Sequence, residues 1–326
     1  MRRKNQLITI AIPTYNGEEY LRDCLESAIN QTYPHTEVLI IDDKSTDNTL
    51  AIACAYKSKY NNVRIIKNEQ NVGLVSNWNK CLREARGEWV KFLFQDDILK
   101  PHCIDAMYTA GLSYNCPLVI CQRDFIIENN TSSQQKEYFT QNVKKLEHFF
   151  STSCYISPKK LSKLIRNHLC INFIGEPIVL LYNKSKVEQF GYYNSDLSQL
   201  CDYEYVIRVA TNTGFVFLVD TLAYFRVHGT SETTKNYDER SEKLTLIDKT
   251  LILHDFVYLS YYKKFRKFVS MFLYVYYFYY MYRLIKNIGK SRYYNLVSGY
   301  LDRYPYLRRP YVSFCFNKLK TIVKNK

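Results

Sequence analysis

Short apolar runs alternate with helix-like stretches through the first 121 residues of this 326-residue chain. The runs are rich in β-branched residues and end in polar turns, which is the pattern of strands that are covered on both faces. Strands that alternate with helices predict an α/β fold with a mainly parallel, doubly wound sheet and right-handed crossovers. The predicted strands are residues 7–12, 37–41, 63–66, 89–94 and 118–121, followed in the second half by two short strands at 216–219 and 223–227. Asn16 and Glu19 resemble a capping box that opens a first helix over residues 18–30.

The strand predicted at residues 89–94 leads into two adjacent carboxylates, Asp96 and Asp97. In an open α/β sheet, ligands bind just beyond the carboxyl ends of the strands. Two acidic side chains there are suited to hold a divalent metal ion whose other ligands are phosphate oxygens and water. A turn or a helix cap would also explain an Asp pair after a strand. The choice between this interpretation and a metal site depends on motifs elsewhere in the chain.

The chain lacks the sequence motifs of several other kinds of site. It contains neither Gly-x-Gly-x-x-Gly nor a P-loop, which leaves dinucleotide and NTPase interpretations without support. Its 10 Cys form no Cys-x-x-Cys pair, which argues against a zinc site, and they fit a reducing compartment. The basic residues 1–4 resemble the start of a signal peptide, but the apolar run ends at Pro13 without a cleavage site and predicts a strand.

Six short motifs stand at the predicted strand ends and loops. In order they are Pro13-Thr14-Tyr15-Asn16, Asp42-Asp43-Lys44-Ser45-Thr46-Asp47, Asn71-Val72-Gly73 with Asn77, Gln95-Asp96-Asp97, Cys201-Asp202-Tyr203-Glu204 and Arg226-Val227-His228. From the first strand to about residue 230, this series resembles the family 2 glycosyltransferases of GT-A fold. The resemblance implies the Rossmann-like nucleotide-diphospho-sugar transferase fold and inverting transfer of a sugar.

The resemblance implies a nucleotide pocket around the first three motifs. There Tyr15 would offer a stacking face and Asp43 would accept from a uracil-type imide N–H, which favours UDP and leaves dTDP and GDP open. Asp96 is expected near the ribose and the sugar. The implied nucleotide-binding residues are Pro13, Tyr15, Asn16, Asp43, Asn71, Gly73, Asn77 and Asp96.

The resemblance also implies a metal cofactor, Mn²⁺ or Mg²⁺, bound to the donor diphosphate. Its ligand would be Asp97, and His228 would contact the metal or the diphosphate. Gln95 departs from the Asp-x-Asp form of this motif and removes one carboxylate. A lone histidine is also often structural, which is the competing interpretation of His228.

The implied catalytic base is Asp202, at the start of a helix predicted over residues 201–212. Glu204 is the alternative base or an acceptor contact, and Glu176 is expected to touch acceptor hydroxyls. Without the other motifs, Asp202 would be no more than a favourable charge at a helix N-terminus.

Charged residues are distributed unevenly along the chain. Residues 255–326 hold 15 Lys and Arg against Asp255 and Asp302, which accounts for most of the net charge of +14. We therefore predict a donor-binding half at residues 1–122, an acceptor-binding half with the base at 123–232, and a basic, tyrosine-rich helical region at 233–326.

The tyrosine-rich run at residues 272–282 is too short and too polar to span a membrane. Tyr prefers the headgroup level, and clustered Lys and Arg favour anionic lipid. These residues predict a cytoplasmic enzyme that binds peripherally to the inner face of the cell membrane, near a lipid-linked acceptor. A helical appendage that packs its tyrosines on the body is one alternative, and nucleic-acid binding is another that no recognisable fold supports.

The predicted function is metal-dependent, inverting transfer of a sugar from a nucleoside-diphosphate sugar to a hydroxyl of a lipid-linked or growing surface polysaccharide. A sugar-phosphate nucleotidyltransferase would need a Gly-rich, basic loop after the first strand, where this chain has residues 13–16. A catalytically silent, membrane-associated scaffold is the alternative of another class. The joint presence of Asp43, Asp97 and Asp202 argues against it.

Overall fold

A computed structural model describes residues 5–169, 171–231, 239–258 and 262–288. The strands are β1 (Ile8–Thr14), β2 (Thr36–Asp42), β3 (Val63–Lys67), β4 (Trp89–Phe92), β5 (Ile98–Leu99), β6 (Leu118–Ile127), β7 (Cys154–Ile156), β8 (Leu180–Asn183) and β9 (Phe215–Val227). The α-helices are α1 (Leu21–Ile29), α2 (Thr49–Lys59), α3 (Leu74–Glu84), α4 (Cys103–Ser113), α5 (Ser133–Glu137), α6 (Pro158–Asn167), α7 (Lys184–Phe190), α8 (Cys201–Thr213), α9 (Glu239–Tyr258) and α10 (Lys263–Ile288). Shorter helical turns cover Tyr138–Asn142, Leu146–His148 and Pro177–Val179.

In the described residues, nine strands form one sheet in the order β3-β2-β1-β4-β8-β6-β9-β5, with β7 paired to β9. Strands β1 to β4 are parallel to one another, as are β6 and β9. Strand β8 is antiparallel to both β4 and β6, and β5 and β7 are antiparallel to β9. The predicted mainly parallel sheet is therefore confirmed for the first half, and the second half mixes directions.

The first strands form the centre of the core because helices cover both of their faces. Every residue of β1 is buried, and all of β2 except Thr36. Helix α1 packs Leu21, Leu25 and Ala28 onto the sheet. Each fully buried Leu or Ile contributes about 1.5–3 kcal/mol, so this double-sided burial fixes where the carboxyl ends of β1, β2 and β4 meet.

The predicted start of the first helix is wrong by three residues. Asn16 and Glu19 were expected to form a capping box, but Tyr20 occupies the N-cap position and makes no side-chain cap. Asn16 instead adopts a left-handed backbone with φ 48°, and its Oδ1 accepts from Thr46 N at 2.8 Å. The turn after β1 is thus tied to the loop after β2.

Strand β9 is one long strand, where two short ones at residues 216–219 and 223–227 were predicted. Asp220 is exposed between those two stretches, and a register shift against β6 between Ile120 and Arg123 lets the pairing continue past it. Strand β6 likewise runs six residues beyond its predicted end at Cys121. The paired strands β6 and β9 extend to the acidic residues that follow β4, where Arg226 of β9 donates to Asp97.

The two C-terminal helices pack on the body, with α10 against α9, α6 and α8. The inner face of α10 buries Phe265, Leu273, Tyr277 and Met281. No helix in the described part of the chain is both long and apolar enough to cross a bilayer. The basic residues beyond residue 288 lie outside the described residues.

Candidate active site

Gln95 joins the ends of β1 and β4. Its Oε1 accepts from Tyr15 N at 2.9 Å and its Nε2 donates to Tyr15 O at 3.1 Å. A carboxylate at this position could make only the first of these bonds, which gives a physical reason for the amide. A Cβ at Gly17 would come within 2.3 Å of Gln95, so the turn needs glycine there. The Tyr15 side chain, 47% exposed, is left open to solvent at this edge.

Asp43 holds the loop after β3 in place. Its carboxylate accepts from Asn68 Nδ2 at 2.7 Å, from Val72 N at 2.9 Å and from Gly73 N at 3.0 Å. Gly73 has φ 85°, a conformation that favours glycine. Asn71 Oδ1 accepts a second bond from Gly73 N at 3.1 Å. The predicted nucleotide residues of this loop therefore lie together beside Asp43.

Asn77 is placed differently from the rest of this group. It is buried, and its Nδ2 donates to Ile41 O at 3.0 Å while its Oδ1 accepts from Asn68 Nδ2 at 3.1 Å. These bonds use its amide to join α3 to β2. Its contacts are those of a residue that supports the pocket floor.

Asp97 is a buried carboxylate with one vacant oxygen. It is fully buried, and its Oδ1 accepts from Arg226 N at 2.8 Å. Its Oδ2 has no hydrogen-bond partner among the described residues. Burial, and then the charge of Asp96, raise the pKa of the Asp97 carboxyl well above its usual value. Such an anion is costly to bury alone, so the position suits a bound cation.

His228 closes the other side of this acidic pair. Its Nε2 lies 3.0 Å from Asp96 Oδ2, and its Nδ1 lies 2.9 Å from Thr230 Oγ1. The ring of Tyr20 packs on it with centroids 4.7 Å apart. Asp96, Asp97 and His228 are thus brought together as predicted, although within the described residues no group of three His, Cys, Asp or Glu side chains is arranged to hold a metal ion unaided.

Arg226 joins the segments around Asp96 and Asp97, and no role was predicted for it from the sequence. Besides the backbone bond to Asp97, its Nε donates to Asp96 O at 2.9 Å. Its guanidinium pairs with Glu128 and, at 3.3 Å, with Asp23, and it lies over the Tyr20 ring. The Arg-x-His motif carried the only signal for it, because its partners come from three separate segments.

Asp202 lies in the first turn of α8, where the sequence placed it. Its Oδ1 accepts from Tyr203 N at 2.6 Å and its Oδ2 from Asn172 Nδ2 at 3.3 Å. Burial raises the pKa of this carboxyl to about 7, and the charge of Glu176 adds to the rise. The Tyr203 N–H and Arg123 act in the opposite direction without cancelling it. A carboxyl with a pKa near neutral is suited to accept a proton and release it again.

Glu176 stands between the two acidic groups. It forms an ion pair with the buried Arg123, and the preceding Gly175 has φ 110°. Its charge raises the pKa of both Asp97 and Asp202. Asn172 also ties this loop to the base, because its Oδ1 accepts from Gly175 N at 3.0 Å and its Nδ2 donates to Asp202. A Cβ at Gly175 would come within 2.6 Å of Arg123, so this loop requires glycine.

Glu204 has a different environment from the other predicted site residues. It is buried and pairs with Arg208 one turn later, at 2.9 Å between Oε2 and Nη2. It also accepts from the Tyr262 hydroxyl at 2.6 Å. These contacts favour a structural role for Glu204 and leave Asp202 as the better placed base.

Part of this chain is similar to known proteins. Residues 9–171 match the family model described as glycosyl transferase family 2. The poly(ribitol-phosphate) beta-glucosyltransferase of Bacillus spizizenii is 41% identical over 95 residues, which is 28% of this chain and 15% of that protein. In most of the curated relatives the match spans less than half of the relative's length.

Two solved structures show the same fold at low identity. TarS 1-349 of S. aureus in complex with UDP has a TM-score of 0.59 at 20% identity, over 82% of this chain and 70% of that chain. The mannosyltransferase PcManGT of Pyrobaculum calidifontis, in complex with GDP-Man and Mn²⁺, has a TM-score of 0.56 at 15% identity, over 95% and 83%. The predicted GT-A fold is thereby confirmed.

Proposed function

Since the chain belongs to glycosyl transferase family 2 and is a glycosyltransferase, we propose that it moves a sugar from a UDP-sugar to a hydroxyl of a surface polysaccharide or its lipid-linked precursor, with inversion. One observation carries this proposal. The buried Asp97 has a vacant oxygen after β4, and the near-neutral carboxyl of Asp202 is tied through Asn172 to the loop of Glu176, whose charge acts on both groups.

The donor nucleotide would lie along the ends of β1 and β2. Tyr15 offers its exposed ring for stacking, while Asp43 and the loop it holds form the opposite wall. Oδ1 of Asp43 already accepts two bonds, whereas Oδ2 accepts one and keeps acceptor capacity for an imide N–H. Pro13 and Asn16 shape the turn between these walls. The bound UDP of TarS supports UDP over GDP, the nucleotide of PcManGT.

A divalent metal fits the acidic end of β4. Asp97 offers a vacant, buried carboxylate oxygen, Asp96 a partly exposed one, and His228 adjoins Asp96. Mg²⁺ or Mn²⁺ would take its other ligands from diphosphate oxygens and water, as is usual where a protein supplies one or two carboxylates. When bound, such an ion stabilises the charge of the leaving diphosphate by several kcal/mol.

Asp202 performs the proton transfer in the proposed mechanism. The acceptor hydroxyl donates its proton to an Asp202 oxygen while its own oxygen forms a bond to the anomeric carbon of the donor sugar. The bond from that carbon to the phosphate oxygen breaks, and its electron pair leaves with the nucleoside diphosphate. One displacement from the face opposite the leaving group inverts the anomeric configuration, and the proton later passes from Asp202 to solvent.

Activity should rise with pH through about 7. Asp202 can act as base only when ionised, and burial has moved its pKa to about 7 from a usual value near 4. We therefore expect kcat/KM to fall about tenfold per pH unit below that point and to level off above it. A pH profile of UDP release with saturating Mn²⁺ measures this, and a rate that stays constant from pH 5 to 8 contradicts the assignment of Asp202.

The acceptor would bind on the second half of the chain, residues 123–232, opposite the donor half at residues 1–122. Glu176 would contact acceptor hydroxyls there: its carboxylate pairs with Arg123, and its charge acts on the carboxyl of Asp202. The similarity to a poly(ribitol-phosphate) glucosyltransferase supports a surface polymer as acceptor. The buried Glu204 holds α8 behind this surface.

Helix α10 would bring the enzyme to the membrane that carries such an acceptor. Its outer face exposes aromatic and apolar side chains in one stripe, namely Tyr274, Val275, Tyr276, Phe278, Tyr279 and Tyr282. The helix carries six Lys and Arg and no acidic residue. This combination suits the headgroup level of an anionic bilayer such as the inner leaflet of the cell membrane, where each basic residue contributes about 1 kcal/mol.

Two acidic substitutions on this stripe should weaken lipid binding at least tenfold. Val275→Glu with Phe278→Glu removes two side chains that would each contribute about 1.5–3 kcal/mol when buried in the lipid interface. Sedimentation with phosphatidylglycerol vesicles measures the effect, and Tyr114→Glu with Val219→Glu is the matched control on other exposed apolar residues. Equal sedimentation of the two double variants with phosphatidylglycerol vesicles would show that α10 is not the lipid-binding element. Equal sedimentation of the wild-type protein with phosphatidylcholine and phosphatidylglycerol vesicles would contradict binding of the basic α10 to an anionic surface.

The function itself is tested by UDP release from a panel of UDP-sugars, with and without Mn²⁺ and a lipid-linked saccharide. A transferase should release UDP in a metal-dependent way and faster with acceptor. A sugar-phosphate nucleotidyltransferase would instead consume a nucleoside triphosphate and a sugar phosphate. A folded protein that binds and turns over no donor would favour the scaffold alternative.

A further inference from the structure

The helix that presents Asp202 has no cap of its own. Helix α8 begins at Cys201, and its N-cap residue is Leu200, whose side chain cannot accept a hydrogen bond. The three backbone N–H groups that lead into the helix, at residues 198–200, have their acceptor elsewhere in the molecule. The position matters for the reaction because Asp202 is only two residues further on.

That acceptor is Asp248, which comes from the C-terminal helix α9. Its carboxylate is fully buried and accepts three backbone bonds: from Ser198 N at 3.1 Å, Gln199 N at 2.6 Å and Leu200 N at 2.9 Å. The negative charge also lies at the positive end of the α8 helix dipole. Thr245, one turn earlier on α9, donates to the Gln199 side chain.

A second contact reaches α8 two residues beyond the base, in the same turn. The Tyr262 hydroxyl, just before α10, donates to Glu204 Oε1 at 2.6 Å, and Glu204 in turn pairs with Arg208. Tyr262 is fully buried and packs its ring against Phe256 of α9 and Phe265 of α10. The two C-terminal helices thus contact the start of α8 at two points, through Asp248 and Tyr262.

We propose that Asp248 and Tyr262 are positioning residues that set the place of the base Asp202, so that the C-terminal helices are part of the catalytic machinery as well as a membrane contact. This rests on the proposed function, in which Asp202 is the base. Asp248 holds the backbone directly before Asp202, and Tyr262 fixes the Glu204 side of the same turn. Neither residue contacts the donor pocket around Tyr15 and Asp43.

A double-mutant cycle tests this proposal. Asp248→Ala should lower kcat about 10- to 100-fold for the UDP-sugar of the panel that turns over fastest, because a shift of about 1 Å in a reacting group has that order of effect. Calorimetric UDP binding should stay unchanged. In an Asp202→Asn background the same change should cost nothing further, since it acts through the residue already removed. An equal loss in both backgrounds, or a parallel loss of UDP affinity, overturns the proposal.

Hydrogen exchange supplies a readout that does not depend on turnover. The amides of residues 198–200 should exchange faster in Asp248→Ala, while β1 and β2 keep their protection, and the exposed Asp220→Ala serves as matched control. Unchanged protection at residues 198–200 overturns the proposal even if no active donor is found. If turnover is absent while these amides lose protection, the proposed function fails and the holding role of Asp248 stands.

Milder variants guard against a folding defect. Asp248→Asn keeps one acceptor oxygen, and Tyr262→Phe keeps the packed ring and deletes only the hydroxyl that reaches Glu204. Both should show smaller losses of kcat in the same direction, with UDP binding intact. Wild-type kcat in both of them would contradict a positioning role.

Discussion

Replacing Asp202 with asparagine is expected to lower the rate of sugar transfer about 10²–10⁴-fold, the usual contribution of a general base. The asparagine keeps the size of the side chain and can still accept from Tyr203 N, but it cannot take the proton of the acceptor hydroxyl. The residual rate should also lose its dependence on pH near 7, because the group that titrates there has gone.

The binding of UDP separates this effect from a loss of structure. UDP affinity should be unchanged in Asp202→Asn, since Asp202 lies on α8 and the nucleotide pocket on the ends of β1 and β2. Asp220→Asn, an exposed aspartate on β9, is the matched control and should keep full activity. An Asp202→Asn enzyme with more than a third of the wild-type rate would leave another group, with Glu176 first, as the base.

Asp97→Asn is expected to remove metal-dependent donor binding and to lower turnover about 10³-fold. The estimate follows from the several kcal/mol that a bound metal ion supplies, at about 1.4 kcal/mol for each factor of ten. The asparagine still offers an oxygen to Arg226 N, so the local backbone bond can persist. What it lacks is the negative charge on the vacant, buried oxygen.

The same substitution should make the metal-free protein more stable. A buried carboxylate with a vacant oxygen and a raised pKa destabilises the fold, and a neutral amide does not carry that desolvation cost. Thermal unfolding in EDTA measures this difference. Loss of activity together with a higher Tm indicates a site that is strained for function. Full Mn²⁺-dependent turnover in Asp97→Asn would place the metal elsewhere.

The first half of the chain was predictable because its strands are continuous apolar runs with polar ends. Such runs fix a parallel sheet, and the sheet brings the motifs of β1, β2 and β4 to one edge. The family resemblance implied that Asp96, Asp97 and His228 share one site. Gln95 looked like a missing carboxylate, and only the three-dimensional contact with both backbone groups of Tyr15 shows what its amide does.

The contacts that hold the base could not be predicted in the same way. Asp248 is separated from Leu200 by 48 residues, and nothing in either local pattern signals that Asp248 accepts from the backbone that leads into α8. Arg226 likewise joins Asp23, Asp96 and Glu128, which lie far apart in sequence. Only the Glu204–Arg208 pair had a local signal, because residues four apart on a helix face each other.

Calorimetric titration of the wild-type protein with UDP-, dTDP- and GDP-sugars, with and without Mn²⁺, tests the central claim most directly. The proposed site predicts that a UDP-sugar binds, that Mn²⁺ strengthens its binding at least tenfold, and that the dTDP- and GDP-sugars bind more weakly. A folded protein that binds none of these donors in either condition would contradict the assignment of a metal-dependent nucleotide-sugar site to Tyr15, Asp43 and Asp97.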